Sequence, residues 1–377
     1  MAGAATLIPF RSRLHQRRLG AWLGIALGVT FGICFLTGLI SHLIQNPGGW
    51  FPWPSRPAGL YRVTQGIHVA TGIASIPLLL AKLWVVYPHL WRKPPFRDLA
   101  HVVERISLVP LVAGGLFLLV SGVINITNWY PWAFFFPAAH FWVAWITIGA
   151  MVVHLGAKWT ATREAVRRDG EPDAAAGTPG LSRRGFLATV GAALGGLTLA
   201  TVGQTVFPLR GISVLGSRKP DVGPQGFPVN KSAAGAGVLD LARAPDYRLR
   251  VEGNVATPLE LSLDDLRALP QTEAVLPIAC VDGWSASARW RGVRVRDLIA
   301  MAGAPERPQV VVESLQPRGL YRTSVLSRSH AADPLTLLAL EVGGEPLHLD
   351  HGYPLRLIAP NRPGVMQTKW VGRLIVR

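Results

Sequence analysis

Apolar residues fall into long unbroken runs in the first half of this chain and into short alternating stretches in the second. Leu19–Ile44, Val63–Val86, Ile106–Ile126 and Ala138–Trp159 are each apolar over about twenty residues or more, the length that crosses a ~30 Å hydrocarbon core. They predict four membrane helices. Lys82 interrupts the second near its end, where an ammonium can snorkel to the interface. A fifth apolar run ends at Phe207. The pattern predicts a four-span membrane α-helical bundle over 1–160, a linker over 161–181, an anchor helix over 182–207 and a mixed α/β domain over 208–377.

Strand-like and helix-like patterns alternate in the last 170 residues. Tyr247–Glu252, Gln309–Ser314, Tyr353–Ala359 and Val371–Val376 read as strands, and Gly343-Gly344 as a turn. A helix starts at Ser262, with Asp265 at capping-box spacing. Val293–Met301 reads as a second helix. The stretch is long enough to bury a core of its own.

Charge orients the membrane half. Arg11, Arg13, Arg17 and Arg18 precede the first run. Arg92, Lys93, Arg97 and Arg105 lie between the second and third, and Lys158, Arg163, Arg167, Arg168, Arg183 and Arg184 follow the fourth. The loops 45–62 and 128–137 hold only Arg56 and Arg62. By the positive-inside rule the amino terminus is cytoplasmic and the α/β domain extracytoplasmic, on the cytoplasmic membrane of a bacterium. The two poor loops carry WFPWP (Trp50–Pro54) and NWYPWAFFFP (Asn128–Pro137), which serve as an aromatic belt, as a docking surface for the outer domain, or both. The net charge of +16 does not point to nucleic acid, because no basic face with interleaved aromatics accompanies it. The two cysteines, Cys34 and Cys280, lie in different halves, and no C-x-x-C-H is present for covalent haem.

The fifth run opens with Ser182-Arg183-Arg184-Gly185-Phe186-Leu187, the pattern of a twin-arginine export signal. The implied partner is the twin-arginine translocation machinery, which moves folded, cofactor-loaded cargo. The same arginines also suit a plain positive-inside flank. No A-x-A site follows, so the helix is expected to stay as an anchor.

Histidines inside hydrocarbon are costly and mark function. His140 and His154 are fourteen residues apart, which places them within about 40° of one helical face and about 21 Å apart along it. That stacking suits two haems, one per leaflet, against the alternative of structural histidines. His68 lies at matching depth to His140 and makes an outer pair, with His42 as a further candidate. His101 is the candidate partner of His154, ahead of His15 and His89. The segment 19–159 resembles bacterial b-type cytochrome subunits, which implies haem b, one or two, and electron exchange with quinone.

Cys280 stands in LPIACVDGWSASARWRGVRVRDLIAMAG. A lone cysteine among apolar residues is commonly a small buried hydrophobe. Here Cys-Val-Asp-Gly-Trp, then Trp290, Gly292 and Asp297-Leu298, resembles the sulfite oxidase-like molybdopterin oxidoreductases. The resemblance covers about 226–377 and implies Mo-molybdopterin, with Cys280 as the protein thiolate on molybdenum. It implies pterin contacts at Ser314, His351 and Arg356. Thr368 and Lys369 are implied on the pterin phosphate, with Asn230 assisting. Sulfite oxidases proper carry an Asn-Arg run after the cysteine. Val281-Asp282-Gly283-Trp284 is closer to periplasmic protein-methionine-sulfoxide reductase catalytic subunits.

The combined expectation is a membrane-bound molybdenum oxidoreductase coupling oxygen-atom transfer to the quinone pool, in the direction of S-oxide or N-oxide reduction on a small-molecule or protein substrate. Sulfite-type oxidation, with Arg289, Arg318 and Arg322 binding the anion, is the alternative. A metal-free electron-transfer or binding module is a third.

Overall fold

The computed structural model describes residues 14–48, 50–90, 99–167 and 181–377. Arg11, Arg13, Arg92, Lys93, Arg97, Arg168 and most of the expected linker lie outside the described residues, as does the His89 side chain.

Among the described residues, five helices are long and apolar enough to cross a membrane. They are α1 Arg17–Gln45, α2 Leu60–Leu90, α3 Leu99–Ile126, α4 Phe136–Arg167 and α5 Arg183–Val202. Their outward side chains stay apolar: Leu36 is 59% exposed, Val109 70% and Trp142 64%, a surface that suits lipid and not water. α3 starts seven residues before its apolar run, which carries His101 into its first turn. α4 runs past Trp159 into the expected linker because Ala161–Arg167 continues in helix-forming residues. α5 stops at Val202 instead of Phe207. Gly203 follows, packed so closely on the Leu209 carbonyl that a side chain there would collide. The Ser182 hydroxyl accepts the Gly185 amide at 3.1 Å, so the first residue of the export pattern also caps a helix.

The chain divides into two compact units. The first comprises Met1–Leu36, His68–Asn125 and Trp129–Thr201. It packs Leu19, Leu23, Leu78, Ala81, Val85 and Val190 into one cluster. Lys158 pairs with Glu104 at 2.6 Å, and the Lys82 ammonium donates to the Gly20 carbonyl at 2.5 Å.

The second unit comprises Thr37–Ile67, Ile126–Asn128 and Val202–Arg377. Its short helices are α6 Ala233–Ala236, α7 Leu239–Arg243, α8 Leu263–Ala268, α9 Val295–Met301 and α10 Arg328–Ala332. One sheet has the order β2 (Leu259–Leu261), β1 (Leu249–Gly253), β10 (Val371–Val376), β5 (Val310–Ser314), β6 (Thr323–Leu326). β1 and β10 run parallel; the other neighbours are antiparallel. The second sheet has the order β3 (Thr272–Ala279), β4 (Ser285–Arg294), β7 (Leu337–Val342), β8 (Glu345–Pro346), with β9 (Arg356–Ile358) also on β7. Val251, Leu298, Leu338, Leu357 and Leu374 meet in the main core.

The predicted capping box forms: Ser262 accepts the Asp265 amide while Asp265 accepts the Ser262 amide. Two expected elements are shorter. Val293 and Arg294 close β4 opposite Leu338 and Leu337, so the helix begins only at Val295. Strand pairing near the carboxy terminus begins at Arg356 because Gly352 sits at φ 112° and Pro354 has no amide to donate.

Segment 50–62 packs onto this unit's sheets. Tyr61, 1% exposed, joins Ile44, Ala279 and Met366 in one apolar cluster with Phe51 and Trp53 against it. Arg56 clamps Asp333 with two bonds of 2.9 Å. WFPWP is therefore packed within the unit and does more than decorate a headgroup layer.

Candidate functional site

Cys280 follows directly from β3, where side chains alternate. Leu276, Ile278 and Cys280 point inward, while Val275 is 69% exposed on the other face. The next five-residue step to β4 is a tight turn: the Gly283 amide donates to the Cys280 carbonyl at 3.1 Å, with Gly283 at φ 90°. The thiol is 4% exposed, and Trp284 is buried in the same apolar cluster, while Trp290 lies farther along β4, opposite Ala274.

Asn230 reaches this sulfur. Its Nδ2 donates to Cys280 Sγ at 2.9 Å and to the Asp282 carboxylate; its Oδ1 accepts from Trp284 Nε1 at 3.0 Å and Arg218 Nη2 at 2.8 Å. Burial, then the Asp282 charge, pushes the Cys280 thiol well above its ordinary range. Burial also raises Asp282 to about 6, with Arg218 working against it. A thiol so placed stays protonated unless a cation ionises it, and a coordinated metal does that. Tyr321 lies close enough for Asp282 and Cys280 to raise its phenol further, after burial.

Two of the remaining expected residues, Lys369 and Ser314, meet at Lys231, next in sequence to Asn230. Lys369 Nζ donates to the Lys231 carbonyl at 2.5 Å and the Asp350 carbonyl at 2.8 Å. Lys231 Nζ donates to Gln316 Oε1 at 2.6 Å, and Gln316 donates to Ser314 Oγ, which in turn donates to the Lys369 carbonyl at 2.8 Å. Arg356, 5% exposed, donates to the His351 carbonyl at 3.0 Å and lies over the Trp290 ring. Its Nε has no hydrogen-bond partner among the described residues. His351 stacks on Phe227 at 3.8 Å and bonds the Pro224 carbonyl. Thr368 is buried against the Ser324 hydroxyl at 2.7 Å. Burial and then Arg356 pull Lys369 down to about 7; burial alone pulls Arg356 to about 9.

This cradle holds more buried positive charge than its own carboxylates match, and an orphaned guanidinium nitrogen. A phosphate-bearing group supplies both the charge and the acceptors. The residues present therefore fit molybdopterin, with a soft thiolate at one end and cations at the other. Asn230 stands at the thiolate end, whereas the sequence resemblance put it at the phosphate. Arg289 pairs with Val275 on the exposed face, away from Cys280, because it shares that register. Arg322 is bound to Glu313 at 3.0 Å. Tyr321, Gln316 and Arg218 were not visible in the pattern, since an isolated polar residue in a loop carries no periodic signal.

In the first unit the His68 and His140 ring centres are 6.4 Å apart, with planes at 70°. Two metal–imidazole bonds of about 2 Å each separate ring centres by roughly 6 Å, so the pair fits one metal between them. His68 Nδ1 meets the Cys34 carbonyl at 2.8 Å and His140 Nδ1 meets Ser121 Oγ at 3.3 Å, which fits ligation through Nε2. His101 and His154 both line a cavity of about 760 Å³ that also takes in Lys82, Glu104, Arg105 and Lys158. His154 Nδ1 is buried without a partner among the described residues. His42 lies in the last turn of α1, and His15 Nδ1 meets the Val85 carbonyl at 3.1 Å.

Residues 236–377 match the oxidoreductase molybdopterin binding domain family. Mitochondrial sulfite oxidase of Rattus norvegicus is 34% identical over 160 residues, 35% of this chain and 29% of that protein. The putative protein-methionine-sulfoxide reductase subunit YedZ1 of Azospira oryzae is 33% identical over 35% of this chain and 50% of its own length. The uncharacterized oxidoreductase YuiH of Bacillus subtilis is 35% identical over 33% of this chain and 62% of its own. The matched stretch is thus under two thirds of each relative. Residues 236–377 thus match the oxidoreductase molybdopterin binding domain and the chain resembles sulfite oxidases over about a third of its length, with five apolar helices of membrane-spanning length among its described residues.

Proposed function

We propose that this chain is a membrane-bound oxidoreductase that reduces neutral S-oxides or N-oxides outside the cytoplasm at a molybdopterin centre on Cys280. The reading includes b haem on the histidines of the membrane part and exchange of electrons with the quinone pool. When bound, the molybdenum cofactor supplies two-electron oxygen-atom transfer. The chain's own residues hold and tune it. Cys280 offers the thiolate, Asn230 fixes the sulfur, and Lys231, Arg356 and Lys369 balance the phosphate. Buried Trp284, bonded to the same Asn230, helps keep water from the thiol.

One observation carries the direction. Asp282 is bonded to the same amide that touches Cys280, so a carboxylate flanks the reactive sulfur. A sulfite dianion meets repulsion there, whereas a neutral oxide does not. Of the expected anion-binding arginines, Arg289 lies on the outer face of β4 and Arg322 is paired with Glu313.

The inner haem rests on His101 and His154 sharing one cavity, the outer on His68 and His140. The twin-arginine helix accounts for export of a domain folded around its cofactor. The sulfite-type reading keeps support from the likeness to sulfite oxidases. One experiment separates them: reduce the haems chemically, then add candidate substrates. Reoxidation by sulfoxides or N-oxides is expected. Failure of both, with haem reduction by sulfite in the oxidised protein, reverses the direction.

A further inference from the structure

We infer that two helix ends hold the Cys280 turn in its working geometry, with Gln65 from the first turns of α2 and Thr205 from just beyond α5 as positioning residues for the sulfur. The turn's internal bonds are few: Gly283 N to Cys280 O at 3.1 Å, and Cys280 N to Trp284 O at 2.8 Å. The Asp282 amide also points to Cys280 Sγ at 3.5 Å, and three further backbone groups are bonded from outside the hairpin. Gln65 Nε2 donates to the Val281 carbonyl at 3.1 Å. The Thr205 hydroxyl donates to the Gly283 carbonyl. The Ser285 amide donates to the Gln204 carbonyl at 2.8 Å. One turn before Gln65, Arg62 bonds the Ala286 carbonyl at 3.3 Å and Ser287 Oγ at 2.5 Å.

All of these residues belong to the second unit. Gln65 is 4% exposed and Thr205 2%, so both polar side chains are buried where they touch the turn, and Gln204 adds its main-chain carbonyl. Buried amides and hydroxyls at such positions need a partner, and the turn's carbonyls are that partner. A metal ligand on a loop must be kept within about 0.5 Å of its working position by residues that are themselves locked. A hairpin pinned only at its two strands does not do so; one tied along 281–287 from two further segments does. The domain's sulfur is therefore set in part by chain far outside the matched family stretch.

The test uses full-length protein purified from molybdate-free medium, with iodoacetamide at fixed pH and the Cys280 peptide quantified by mass spectrometry. Because Cys280 is buried, labelling reads how often the turn opens. Thr205→Val removes the hydroxyl at constant shape, Thr205→Ser retains it, and Gln65→Leu removes the amide. Labelling is expected to rise roughly tenfold in the Gln65→Leu/Thr205→Val pair, severalfold in Thr205→Val alone, and less than about twofold in Thr205→Ser. In molybdate-grown protein, the molybdenum(V) resonance should shift in Thr205→Val and not in Thr205→Ser. Labelling of the double variant at the unaltered protein's rate, with an unchanged melting temperature, overturns the inference. If the double variant does not fold, equal labelling of Thr205→Val and Thr205→Ser overturns it as well. The labelling arm needs neither metal nor substrate and so stands or falls apart from the proposed function; only the resonance arm rests on that reading.

Discussion

The backbone amide of Tyr61 donates to Asn361 Oδ1 at 2.7 Å across a separation of 300 residues. Asn361 makes three more bonds to the same segment: Nδ2 to the Pro54 carbonyl at 2.6 Å, its amide to the Ala58 carbonyl at 2.9 Å, and its carbonyl from Trp53 Nε1 at 2.8 Å. It sits at φ 55°, a left-handed conformation that asparagine tolerates, and is 1% exposed. The side chain is thus matched to both its backbone and its partners.

Asn361→Ala should therefore lower stability by about 3 kcal/mol, from two orphaned buried partners plus left-handed strain. Asn361→Gly relieves the strain and should cost about 1 kcal/mol less. Thermal unfolding of the purified chain reads both; equal midpoints for the two variants would contradict the backbone part.

Cys280→Ser should reduce turnover by at least about a thousandfold, because a hydroxyl does not replace a thiolate on a soft metal. The haem absorption should be unaltered. Turnover that survives would remove the thiolate assignment, whatever the metal content.

Lys369→Met tests the phosphate end. The partly buried ammonium lies near Arg356, Asp350 and Lys231, and its neutralisation leaves the anion short of one charge-assisted bond, worth about 1.5–3 kcal/mol. Molybdenum per chain, measured by plasma mass spectrometry, should fall roughly tenfold or more at limiting cofactor. Lys369→Arg should retain more. Full molybdenum occupancy in Lys369→Met would place the phosphate elsewhere.

What the sequence made legible follows from physical range. The five apolar runs were readable because bilayer thickness dictates their length, and the capping box at Ser262 because its bonds join residues three apart. Strands β3, β4 and β7 carry no such local signal: β3 and β4 flank the cysteine motif, and β7 is a short apolar run with no helix-or-strand period of its own. The site divides the same way. Cys280 and the cationic cradle came from ordered motifs, while Tyr321, Gln65 and Asn361 act through contacts between distant segments, which leave no local trace. Segment 50–54 could be read as belt or docking surface from its aromatics; only the bonds to Asn361 distinguish them.

His140→Ala and His154→Ala test the two haem positions separately. Two haems per chain in the unaltered protein should fall to one in each variant, by pyridine haemochrome. Loss of an imidazole removes one axial bond outright. A count of one in the unaltered protein, untouched by His154→Ala, would leave the 760 Å³ cavity to another occupant.

Acid sensitivity of the second unit should come first from its buried histidines. His330 is 3% exposed, with Nδ1 on Ser327 Oγ at 2.8 Å. Burial, then the neighbouring Arg362, lowers it to about 3, with Asp333 acting the other way. His351 is lowered to about 3 by burial and then Arg356. Both are neutral in the fold, whereas the unfolded chain protonates them near 6.5. The unfolded state therefore binds more protons between about 6.5 and 3, and stability falls as pH drops through that window. Asp333 adds to the same trend at lower pH. Its burial opposes ionisation, but the Arg56 bonds and the Leu335 amide outweigh it, so its contribution is present above its unfolded value and disappears as it protonates. The melting temperature of the purified chain should decline steadily from pH 7 to pH 4. His330→Gln, which keeps a group able to bond Ser327, should make that decline clearly shallower, since the unfolded chain takes up one proton fewer while Asp282, raised to about 6, still offsets part of the remainder. A slope equal to that of the unaltered protein would mean that His330 is already charged in the fold, and Arg362 would then have to be turned away from it.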